Sequence, residues 1–140
     1  MRTLTHFTLL LFLAAHGARG DDVADLRKKY LSDPAVSADI KRAIENGVVV
    51  RGMCPFQAFA AAGLPGLYEV TPDLKKWRTD IPPPIIINAQ CDKPDDSVIW
   101  LTFRSKTQFG TAEPVVFFAH FEKGRVVEVT RTHNIKPGGT

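Results

Sequence analysis

Val115-Val116-Phe117-Phe118-Ala119-His120-Phe121-Glu122-Lys123-Gly124-Arg125-Val126-Val127-Glu128-Val129-Thr130-Arg131 reads as two strands and the turn that joins them. Valine and aromatic residues suit a pleated, half-buried surface, and Lys123-Gly124 makes a two-residue turn in which Gly124 supplies the positive φ. With Phe121 facing Val126, simple alternation puts Val116, Phe118 and His120 together with Val127 and Val129 on one face. Phe117, Ala119 and Phe121 then share the other face with Val126, Glu128 and Thr130. The first face is the expected core, lying against helices. The second mixes apolar and polar residues, so Phe117 and Phe121 are either covered by another segment or exposed as an interaction patch. Two further strands are expected upstream, over residues 85–89 and 98–103.

Helical signals occupy the first half. Val23, Leu26 and Tyr30 recur at steps of three and four among charged residues. Ser32-Asp33-Pro34 then reads as the start of a second helix, Asp33 capping it and Pro34 taking its first position, with Val36, Ile40 and Ile44 as its apolar stripe. Asn46-Gly47 stops that helix, and residues 48–50 form a brief extended run before Arg51-Gly52. Met53-Cys54-Pro55 opens a third helix that runs through Ala62 and ends at Gly63-Leu64-Pro65-Gly66, with Cys54 in the cap position. Phe56 and Phe59 anchor it to the sheet, and Ala60-Ala61-Ala62 lets it approach closely. From Leu67 to Pro84 an irregular connection is expected, because Pro82-Pro83-Pro84 is read as excluding both helix and interior strand. The fold class that results is α+β, with two or three short helices packed on one face of a three- to four-stranded antiparallel sheet.

The first twenty residues have one basic residue near the start, an apolar stretch from Phe7 to Ala15, and small residues at Ala18 and Gly20. That pattern predicts a cleavable export signal over residues 1–20, cut after Gly20, and a periplasmic or secreted product. The apolar stretch is too short to span a bilayer, which takes about 20 residues. A single domain over 21–135 and a loose tail at 136–140 account for the remainder. Loss of Arg2 and Arg19 with the signal reduces 18 basic residues to 16 against 15 acidic ones, and the basic residues are scattered. This balance gives no footprint for nucleic acid. No cysteine stands at the cleavage point, so no lipid anchor is expected.

The run Ile44-Glu45-Asn46-Gly47-Val48-Val49-Val50-Arg51-Gly52-Met53-Cys54-Pro55, closing at Gly63-Leu64-Pro65, resembles the SmpA/OmlA family, which includes the small lipoprotein of the bacterial outer-membrane barrel-assembly machine. That family's pattern is a glycine, a short apolar run, Gly-Met-Thr, a helix, Gly-x-Pro and then a three-stranded antiparallel sheet. Phe121-Glu122-Lys123-Gly124-Arg125-Val126 is similar to its final hairpin. The match covers about a third of the exported part; Cys54 stands where the family has threonine, and the lipid-bearing cysteine is missing. The resemblance implies a bacterial envelope protein. Beta-lactamase-inhibitor proteins resemble the same small fold, which makes a hydrolase inhibitor one alternative.

Few residues invite chemistry. A thiol at Cys54 would meet the positive end of a helix dipole and lose pKa, which suits a small exported thiol-redox or cysteine enzyme with His120 or His133 as base. A disulfide between Cys54 and Cys91 explains both cysteines with fewer assumptions in an oxidising compartment. His120 reads as a core histidine and His133 as a solvent-exposed one. Asp92, Asp95 and Asp96 lack the alternation of a calcium loop and read as a solvated turn. No cofactor and no metal site are expected. The function expected is therefore non-catalytic binding of another exported or envelope protein, with Phe117, Phe121 and Trp77 as candidate anchors.

Overall fold

A computed structural model describes residues 20–132 of the 140-residue chain. The expected export signal, Gly20 excepted, lies outside the described residues, as do His133 and the tail at 136–140. In chain order the elements are α1 (Gly20–Ser32), α2 (Ala38–Asn46), α3 (Pro55–Ala62), β1 (Leu67–Thr71), α4 (Pro83–Ala89), β2 (Val98–Ser105), β3 (Val115–Glu122) and β4 (Arg125–Arg131). The strands form one antiparallel sheet in the order β1-β2-β3-β4, and the α+β class stands.

The N-terminal half is set by local chemistry. α2 begins later than its proline suggested: Ser37, in extended backbone, accepts the Ile40 amide through its side chain and acts as the cap. Asp33 instead accepts the Ala35 amide in a local turn, so Pro34 sits in the connection rather than in the helix. Gly47 closes α2 at φ 69°, and a Cβ there would come within 2.6 Å of the Thr107 hydroxyl, so both backbone and space require glycine. α3 has Gln57 as its one polar side chain, and every residue from Pro55 to Ala61 is buried, which marks it as the central helix. The Arg27 guanidinium from α1 donates to the carbonyls of Ile44 and Ala60, tying the ends of α2 and α3 together.

Residues 48–50 join no strand. At Val49 the backbone polarity is met by a side chain, since Gln108 accepts the Val49 amide and donates to its carbonyl, while the Val48 amide donates to the Ala43 carbonyl.

Two expectations fail between Leu67 and Ala89. The connection contains β1, which pairs with β2 from Leu67 opposite Thr102 to Thr71 opposite Val98. The segment read as a strand at 85–89 is helix α4, with Ile86, Ile87 and Asn88 buried. Prolines at the first helical positions make this possible, because those amides need no partner within the helix.

The sheet buries the face opposite to the one expected. Phe117, Ala119 and Phe121 of β3 are fully buried, with Ile99, Leu101 and Phe103 of β2 beside them in register. A bulge explains β4: the register shifts at His120/Phe121, so Phe121 pairs with Val126 but Ala119 pairs with Val129. One extra residue in β4 brings Val126 and Val129 onto the core side, which strict alternation forbids. Phe59 of α3 meets Phe103 at 6.3 Å between ring centroids, and Phe103 stacks on Phe117 at 5.5 Å. This aromatic chain is the joint between helix layer and sheet, as expected of Phe59.

Candidate functional site

The side of the sheet turned away from α3 carries a line of residues in register across all four strands. Glu69 of β1 is opposite Trp100 of β2, Trp100 is opposite His120 of β3, and His120 is opposite Glu128 of β4. At its centre the Trp100 and His120 rings lie parallel within 6° and 4.2 Å apart. The next line joins Leu67, Thr102, Phe118 and Thr130, and Val116 lies opposite Arg104 beyond it. Leu67 is 70% exposed, and Val116 and Phe118 are 37% and 36% exposed. Large apolar side chains on a free sheet face lose water contact only when something docks there.

Three carboxylates gather around the stacked rings, while Arg104 lies at the far end of the face. Glu69 and Glu128 flank the stacked rings, and Glu122 Oε1 stands 3.7 Å from His120 Nε2. That nitrogen is sealed from solvent and has no hydrogen-bond partner, so His120 is held by its stacking on Trp100 rather than by the core. His120 thus lies on the outward face, not among core residues as its alternation suggested. The chain as a whole is slightly basic, which makes this acidic frame a local feature.

The expected anchors divide. Phe117 and Phe121 are fully buried in the core and offer nothing to a partner. Trp77 is half-buried, and its Nε1 donates to Asp95 Oδ2 at 2.6 Å, with Lys76 Nζ 5.4 Å from the ring centroid. It secures the loop before β2 instead of standing free. In that acidic loop Asp95 also accepts the Ser97 amide, while Asp73 accepts the Asp96 amide. Among the described residues no group of three or more His, Cys, Asp and Glu is placed to hold a metal ion.

Cys54 and Cys91 are joined, with their Cα atoms 5.1 Å apart, and neither cysteine is free. Cys54 caps α3, its amide donating to Gln57 Oε1, and Cys91 Sγ accepts the Phe56 amide at 3.3 Å. The bridge forms one wall of a cleft of about 510 Å³ that Tyr30 and Arg125 also line.

Alternation alone assigns Val116 and Phe118 to the core, and it does not single out Trp100 or Leu67. A signal was present in β2, where Trp100 shares its alternation with Thr102 and Arg104 while Ile99, Leu101 and Phe103 share the other. Among the described residues no helix is long and apolar enough to cross a membrane. Compared with protein-family models, with characterised proteins and with solved structures, this chain matches none.

Proposed function

We propose that this protein is an exported, non-catalytic binding module of the bacterial envelope that docks an extended, cation-bearing segment of another envelope protein on the outward face of its sheet. The observation that carries this reading is the exposed apolar group Leu67, Val116 and Phe118 beside the Trp100–His120 stack, framed by Glu69, Glu122 and Glu128. Apolar area supplies affinity, and the carboxylates select a partner with arginine or lysine through complementary charge and cation–π contact. The N-terminal pattern of residues 1–20 supports export, and the resemblance of residues 44–55 to SmpA/OmlA proteins supports an envelope role. The disulfide favours an oxidising compartment and leaves no free thiol for cysteine chemistry.

The test is site-specific photo-crosslinking in the native host. A photoreactive residue at position 118 is expected to give one discrete adduct, and the same residue at the exposed Ala24 of α1 none. Trp100→Ser should abolish the adduct without loss of secondary structure, and Glu69→Gln with Glu128→Gln should weaken it several-fold. Equal labelling from both positions, or an adduct indifferent to Trp100, would refute docking on this face.

A further inference from the structure

Away from the sheet face, the cleft beside the disulfide is built around an unpartnered phenol. Tyr30, at the end of α1, is 7% exposed. Its hydroxyl makes no hydrogen bond to any described residue. The sealed side-chain atoms without partners are Asp22 Oδ2 and His120 Nε2, so the Tyr30 oxygen is not among them and keeps contact with the cleft it lines. A phenol buried to this extent without a partner forgoes a hydrogen bond that it would have in water, and a ligand acceptor restores it. Burial first, and then the carboxylates of Asp92 and Asp33, push its pKa up to about 12 against the opposing pull of Arg125. At neutral pH the group is therefore a donor, never a base.

Four charged residues share this cleft: Lys29 and Arg125 are basic, Asp33 and Asp92 acidic. Among the described residues none of the four forms an ion pair within 4.0 Å, although pairs of that kind join residues elsewhere in the chain. Arg125 reaches only the Gly52 carbonyl, at 3.4 Å, and Lys29 lies 5.4 Å from the Tyr30 ring centroid. Opposite charges held in one cavity without neutralising each other suit a ligand that carries both signs. A volume of about 510 Å³ admits a short peptide and falls in the usual range for small-molecule sites.

We propose that this cleft binds a short zwitterionic peptide, its carboxylate held by Arg125 and Lys29, its ammonium group by Asp33 and Asp92, and a peptide carbonyl by the Tyr30 hydroxyl. The site is separate from the sheet face and stands or falls independently of the docking proposed there. The disulfide keeps the start of α3 and the residue before Asp92 in fixed relation, so the two walls are pre-set before the ligand arrives.

The experiment is an amide-resolved NMR titration of the intact, oxidised protein with trialanine, with free alanine, and with trialanine acetylated and amidated at its ends. Saturable shifts at Tyr30, Asp92 and Arg125 with trialanine, and at least tenfold weaker binding of the blocked peptide, are the expected result. Tyr30→Phe should weaken trialanine binding about fivefold, as loss of one hydrogen bond to a neutral carbonyl does. Arg125→Gln should remove the preference for a free carboxylate while Lys93→Gln, outside the cleft, changes nothing. Free alanine binding as well as trialanine would make a single amino acid the ligand and overturn the peptide assignment. Indifference to blocking of the termini, or no saturable shift at millimolar peptide, would overturn the site itself.

Discussion

Burial alone would drive the Asp95 carboxyl toward its neutral form, yet it is held below the usual carboxylate range. The bonds from Ser97, Trp77 and Gln90 together outweigh the cost of desolvation. Because the folded pKa lies below the unfolded one, the folded state binds fewer protons in acid, and stability must fall as pH drops. The contribution is complete above the unfolded carboxylate value, about 3.9, and is lost as pH passes down through the folded value. Asp95→Asn is expected to flatten the acid limb of thermal stability between about pH 4 and 2, measured by calorimetric melting, whereas Asp96→Asn should leave it in place. The amino-acid string marks Asp92, Asp95 and Asp96 as a carboxylate-rich turn but does not separate them. Asp95 is distinguished only because Trp77, 18 residues earlier, reaches it. The same limit applies to Tyr30: its place on α1 follows from helical spacing, and its unpartnered hydroxyl does not.

Among the elements, the β3–β4 hairpin was the most legible and also the most misleading. Its turn, its ends and the pairing of Phe121 with Val126 all follow from local pattern, with Gly124 at φ 74° as that turn demands. Which face is buried does not follow, since both faces of β3 carry phenylalanine and the bulge in β4 breaks the count that would decide between them. The assignment has a direct consequence for mutation. Phe117→Ala is expected to cost about 3–5 kcal/mol in chemical denaturation, the usual range for a phenylalanine removed from a packed core. Phe118→Ser, one residue along, should cost less than about 1 kcal/mol, because its ring is partly in water already. Helix α4 went unread for a different reason. Three isoleucines in a row have strand propensity, and the proline run before them signals a break as readily as a helix start. Burial of Ile86 and Ile87 against the rest of the molecule resolves the conflict in favour of helix.

For the molecule as a whole, the disulfide is the long-range constraint that local reasoning reached, because a chain with two cysteines has one internal pairing open to it. It closes a separation of 37 residues that contains α3, β1 and α4, for which the chain-entropy model gives about 4 kcal/mol. Reduction, or the pair of changes Cys54→Ser and Cys91→Ser, should therefore lower unfolding free energy by up to about that amount, read by denaturant titration with the sheet retained at low denaturant. Local pattern was enough for the α+β class, α1, the C-terminal end of α2, both ends of α3, and the positions of β2, β3 and β4, with α2 starting later and β2 running two residues longer than expected. Each of these depends on periodicity, on caps or on turn glycines, which act within a few residues. Long-range packing selected which sheet face meets α3, brought β1 into the sheet, and stacked Trp100 on His120 between Glu69 and Glu128. Those outcomes depend on contacts between residues tens of positions apart, where alternative arrangements satisfy the same local preferences and packing alone selects among them.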